Sequence, residues 1–180
     1  MQKVKTLSMV AYIMYLYSLI IALKKVSKYV FIDSSLISAR HSTREIRARN
    51  LCSRLMTSKQ DQLVVAPYNP WDHWSLVVIN PYDDVVYHLD SLRTNSLDDI
   101  KYVLDDFPVS EEFEKDQKNN ILESGKGTVE CRYYVLRYMC EIVSKDTSII
   151  TDVIDMRNSY SQLELDEVRV EWADFLARYI

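Results

Sequence analysis

"HWSLVVINPYDDVVYHLDSL", His73 to Leu92, is the stretch on which the fold turns. Two β-branched runs, "WSLVVIN" and "VVYHLDSL", flank Pro81-Tyr82-Asp83-Asp84. A Pro/Asp cluster between two such runs predicts a hairpin turn joining antiparallel strands. The hairpin has a chemical consequence. His73 stands at the start of the first strand and Asp90 at the end of the second, so antiparallel pairing makes them neighbours.

Outward from the hairpin the chain reads as helices, then strands, then helices. "QLVVAPY" is a further compact apolar run, and "KYVFIDSSLIS" a short extended piece followed by a turn. In "STREIRARNLCSRLM", Ser42 and Glu45 have capping-box spacing. Ala48, Leu51, Cys52 and Leu55 then recur at helical intervals with the arginines facing out, which makes Cys52 structural. Ser96 is positioned to cap a short helix through Leu104, and residues 107–128 are polar and irregular. "ECRYYVLRYMCEIV" is helical, with Tyr134, Val135, Tyr138, Met139, Ile142 and Val143 as its apolar side. A second capping box, Ser161 and Glu164, opens a last helix lined by Leu165, Val168, Trp172, Phe175 and Leu176. The order predicts an α+β fold, a small sheet covered by helices.

At 180 residues, with 48% hydrophobic and 27% charged residues, the chain is expected to form a single domain spanning 1–180. Two glycines leave no material for a phosphate-binding loop, and three unpatterned cysteines argue against a disulfide framework and against a zinc site. No cofactor and no metal are therefore expected, and the cysteines fit a reducing, intracellular compartment, nucleus or cytoplasm. Residues 1–60 carry a net charge of +9 and residues 61–180 of −13, giving the −4 of the whole chain. A basic third can serve an acidic partner or simply complement the acidic remainder; without a recognisable nucleic-acid module, nucleic acid is not the expected partner. "LSMVAYIMYLYSLIIAL", Leu7 to Leu23, is uncharged, but short for a membrane span and diluted by tyrosine and serine. A buried amphipathic helix with Tyr12, Tyr15 and Ser18 near one side is the expected reading, and no membrane partner.

Cys131 opens the helix in "GTVECRYYVLRYMCEIV", where the dipole favours a thiolate. A nucleophilic cysteine needs a base, and the base an orienting carboxylate. Of the three histidines, His41 lies in a loop and His88 can face either side of its strand, whereas His73 sits at a rigid but open strand start. On spacing alone a Cys131-His73-Asp90 triad competes with a plain reading: a small apolar residue, a packing histidine and a turn former.

At these residues the sequence resembles the ubiquitin-like (SUMO-type) cysteine proteases, most closely their plant, transposon-derived branch. The pattern of His-Trp, a strand ending Leu-Asp-Ser-Leu, and Glu/Asp-Cys-Gly-Tyr-Tyr-Val is met in order, its glycine apart, by "HWSLVVIN", "VVYHLDSL" and "VECRYYVLRYM", and the likeness runs from about Leu7 to the C-terminus. The resemblance implies the papain-like fold of the ubiquitin-like protease type, and a peptidase that releases ubiquitin-like modifiers from precursors or conjugates. It implies His73 as general base, Asp90 as its orienter, Cys131 as nucleophile and oxyanion donor through its N–H, and Trp74 as a substrate-channel wall. Three departures weigh on turnover. Gly125 stands where the family has an oxyanion glutamine, Arg132 where it has glycine, and the family's N-terminal Trp-Leu-Asp segment has no counterpart, so the domain reads as N-terminally truncated. A lowered activity is expected, the alternative being an inactive pseudoprotease that only binds a modifier.

Overall fold

The computed structural model describes residues 2–37, 43–59, 61–69, 73–81, 83, 85–91, 130–145 and 160–179. Trp71, His41, Ser42, Gly125 and the expected helix from Ser96 lie outside them. In chain order the elements are α1 (Gln2–Ala22), β1 (Tyr29–Phe31), α2 (Ser34–Ile37), α3 (Arg44–Thr57), β2 (Leu63–Tyr68), β3 (Ser75–Asn80), β4 (Val85–Leu89), α4 (Glu130–Ser144) and α5 (Gln162–Tyr179).

The four strands form one mixed sheet in the order β1-β2-β3-β4. β1 and β2 are parallel, with Tyr29 opposite Leu63, because α2 and α3 cross over between them. The other pairs are antiparallel: Tyr68 lies opposite Ser75, and Leu76 opposite Leu89. The predicted β3–β4 hairpin is present, its turn held by Asn80 Nδ2 donating to Asp83 Oδ2 over 2.7 Å. Strands alternate between two cores. Leu63, Val65, Leu76, Val78 and Leu89 face α1, α4 and α5, while Val64, Ala66, Val77 and Ile79 face α2 and α3. Helices on both faces explain why β2 and β3 are apolar on both sides rather than alternating.

α4 packs against β3, α1 and α5. Its fully buried Val135, Leu136, Met139 and Val143 each contribute roughly 1.5–3 kcal/mol of transfer free energy. Its C-terminal end is fastened as well. The Tyr29 hydroxyl donates to the Ile142 carbonyl at 2.7 Å, and Lys25 Nζ donates to the Val143 and Ser144 carbonyls at 3.0 and 3.3 Å. A cation there complements the negative end of the helix dipole. The N-terminal end, which bears Cys131, is thereby set against the start of β3.

Several sequence expectations are corrected. α1 does not keep its tyrosines on a polar side: Tyr12 is fully buried with Met9, Leu16 and Ile20, since these positions share one helical face and a phenol ring is mostly apolar surface. Among the described residues no helix is long and apolar enough to cross a membrane. On α3 the arginines do not all face out, because Arg47 falls on the buried stripe beside Ala48 and Leu51. The N-cap of α3 is Thr43, one residue later than the Ser42 expected, and accepts from the Ile46 N–H at 3.5 Å. Cys52 is half-exposed, and the turn after β1 is the one-turn helix α2. The Ser161/Glu164 box forms in both directions: Ser161 N–H donates to Glu164 Oε2 at 2.8 Å and Glu164 N–H to Ser161 Oγ at 3.3 Å.

Candidate active site

The β3–β4 register decides the first contact. Leu76 opposite Leu89 places the start of β3 beside the end of β4, and there His73 Nε2 hydrogen-bonds Asp90 Oδ1. Both side chains are largely covered, 12% exposed for His73 and 4% for Asp90. With Nε2 committed to the carboxylate, Nδ1 is the ring nitrogen left for other chemistry. It is buried and has no hydrogen-bond partner among the described residues. The Cys131 thiol is close enough to act on the ring.

The protonation of His73 records this setting. Burial acts most strongly and on its own would lower the pKa. The hydrogen bond to Asp90, the contact with the Cys131 thiol and the charges of both together outweigh it and raise the imidazole from 6.5 to about 9. The ring therefore holds its proton more tightly than a free imidazole does.

Cys131 sits in the first turn of α4 and is 3% exposed, packed with Trp74, Leu76 and Val135 in the core facing α1, α4 and α5. Its sulfur accepts a hydrogen bond from the Trp74 backbone N–H at 3.3 Å. Sequence reasoning carried no signal for that contact, which joins residues 57 apart. Trp74, expected as a channel wall, is itself 3% exposed in this core, with its indole N–H unpartnered among the described residues.

Arg132, which stands where a glycine was expected, reaches away along the helix side. Its Nη1 donates to Ser8 Oγ of α1 at 3.1 Å and its guanidinium lies 5.3 Å from the Tyr133 ring centre. His88 lies on β4, two residues before Asp90, and opposite Val77. Burial lowers its pKa; Asp90 opposes that and the charge on His73 adds to it. Cys140, expected in the core, is only half-buried, its sulfur 4.0 Å from Glu171 Oε2 and 3.9 Å from Ser144 Oγ, with burial first and Glu171 second pushing the thiol up. Among the described residues no group of three or more His, Cys, Asp or Glu side chains is placed to hold a metal ion.

A mixed sheet between helices, with a cysteine-bearing helix set against the start of its third strand, is the papain-like α+β architecture of the ubiquitin-like protease type. Among solved structures the chain is similar to the Xanthomonas campestris effector protein XopD bound to ubiquitin, with a TM-score of 0.62 and 21% identity, over 94% of this chain and 89% of that one. At that identity the likeness establishes the fold. No protein-family model matches the chain, and no curated protein sequence matches it significantly.

Proposed function

We propose that the chain is a cysteine peptidase that cleaves ubiquitin-like modifiers from precursors or conjugates, of the plant, transposon-associated kind its motifs resemble. The observation that carries this reading is His73, held by Asp90 through Nε2 and close enough to the Cys131 thiol for the thiol to act on the ring. The fold shared with a ubiquitin-bound effector supports a modifier as partner. In the proposed cycle the Cys131 thiolate attacks the carbonyl carbon of the modifier's last residue. The tetrahedral intermediate collapses to a thioester as His73 passes its proton to the departing amine. Water then attacks the thioester, His73 takes the water's proton, and the carbon–sulfur bond breaks to restore the Cys131 thiolate as the modifier's new carboxyl group leaves and gives its proton to solvent. Asp90 keeps the ring oriented and its imidazolium stabilised throughout. The Cys131 N–H, at the N-terminal end of α4, is the donor offered to the oxyanion, and Trp74 orders the adjoining wall.

The test is a ubiquitin-like probe ending in an electrophile, incubated with the folded protein. An adduct at Cys131, absent from Cys131→Ala, is the expected result. No adduct in the wild type and none after Arg132→Gly combined with Gly125→Gln would overturn the peptidase reading. A second reading, a modifier-binding pseudoprotease, is favoured by one observation: Cys131 is only 3% exposed, so a substrate carbonyl reaches it only after the surrounding side chains move. Micromolar-range binding of a modifier that is unchanged in Cys131→Ala, with no probe adduct, would select it.

A further inference from the structure

The contact between the Trp74 backbone and the Cys131 sulfur asks for an account, because a buried main-chain N–H needs an acceptor. Trp74 is covered and precedes the first residue of β3, so its amide stands just outside the strand ladder. The acceptor it has is sulfur, at 3.3 Å. We infer that the Trp74 main-chain N–H is a dedicated donor to the Cys131 thiolate, positioning the sulfur and holding its negative charge between pulses of chemistry. The inference rests on Cys131 being the nucleophile and adds a positioning group to it.

Three arguments converge. An amide N–H can only donate, so the sulfur must be the acceptor whatever its protonation state. A thiol sulfur is a weak acceptor, whereas a charged one forms a shorter, stronger, charge-assisted bond, so the contact favours the thiolate selectively. His73 and Trp74 are also consecutive residues. The base and the donor therefore approach the sulfur as one rigid piece of backbone, pinned by Ser75 opposite Tyr68 and by the buried indole. Among the described residues the titratable and charged groups near this corner are His73 and Asp90 at the strand ends and Arg132 on α4, the last directed to Ser8, while His88 lies opposite Val77 on the other face of the sheet. His73 is thus the group whose ionisation must be separated from that of the thiol.

The experiment follows the Trp74 backbone amide by proton–nitrogen correlation spectra of the full-length protein, from about pH 5 to about pH 10. The midpoint of Cys131 alkylation by iodoacetamide is measured over the same range. The amide proton is expected to move downfield with the alkylation midpoint, to keep doing so in His73→Ala, and to lose that transition in Cys131→Ala. A Trp74 amide that is flat across the alkylation midpoint in His73→Ala, or that keeps its transition in Cys131→Ala, overturns the inference. A second comparison uses Trp74→Phe, which keeps the N–H, and Trp74→Pro, which removes it. Folded Trp74→Pro is expected to alkylate on the order of tenfold more slowly than Trp74→Phe at neutral pH. Equal rates in two folded variants overturn it. An intact amide transition with no adduct from the ubiquitin-like probe supports this inference while removing the peptidase reading, so the two fail separately.

Discussion

Two buried carboxylates, Glu141 on the Cys131 helix and Asp90 just past β4, sit in different surroundings. Glu141, 5% exposed, is saturated: Arg137 Nε donates to it at 3.1 Å, the Tyr160 hydroxyl at 3.1 Å, and Lys145 Nζ lies 3.6 Å away. Tyr160 is in turn enclosed by the Tyr134 and Tyr138 rings, and Arg137 continues to Glu167 of α5 at 3.2 Å. Asp90 is as deeply covered, yet its surroundings leave polar atoms without partners among the described residues: His73 Nδ1, Trp74 Nε1, Ser75 Oγ and His88 Nε2. Unpaired buried polar atoms are costly. The Glu141 cluster minimises that cost and ties α4 to α5; the Asp90 corner bears it and leaves an imidazole nitrogen open beside a thiol. Under the proposed function, stability and reactivity are thus lodged in separate places.

The two sites can be separated by substitution. Asp90→Asn should cost roughly two to four orders of magnitude in Cys131-dependent turnover of a modifier substrate, by losing the ring's orientation and its imidazolium partner. Above about pH 9, where His73 no longer holds its proton, the melting temperature should hardly move. Loss of stability equal to the loss of turnover would break the contrast. Glu141→Ala should do the reverse. It strands Arg137 and Tyr160 in a buried position and should cost about 3–5 kcal/mol in denaturant melts. Below the melting point, iodoacetamide reactivity of Cys131 should be kept.

A smaller effect is read in the pH dependence of stability. Folded His73 holds its proton to about 9 against 6.5 in the unfolded chain. The pKa is raised on folding, so the stabilisation is fully present below about pH 6.5 and lost as pH rises through 9. Asp90→Asn should flatten that slope, which guanidinium melts across the interval would measure, while Glu141→Ala should leave it. The smallest effect lies away from both sites. α1 ends with Lys25 N–H donating to the Ile20 carbonyl at 2.8 Å and Lys24 N–H to the Ile21 carbonyl at 3.0 Å. Lys24 has φ 57°, a left-handed position that favours glycine. Lys24→Gly should stabilise the protein by roughly 0.5–1 kcal/mol in the same melts, with no change in thiol reactivity.

By itself the sequence determined what rests on short-range pattern. The β3–β4 hairpin follows from two β-branched runs around a Pro/Asp turn, and the meeting of His73 with Asp90 follows from the hairpin. The Ser161/Glu164 box and the helical start at Cys131 are equally local, since each depends on residues within one turn. Tertiary structure alone decided the rest. Tyr12 is buried because α1 packs against α4 and α5, and Arg47 because α3 covers the sheet; neither fate is written in residue type, as both side chains carry a polar tip on a long apolar body. The parallel β1–β2 pair and the Trp74 N–H bond to Cys131 join segments tens of residues apart. Such contacts exist only once helices and sheet have packed, because the energy that fixes them is burial of whole faces and not any preference of the neighbouring residues.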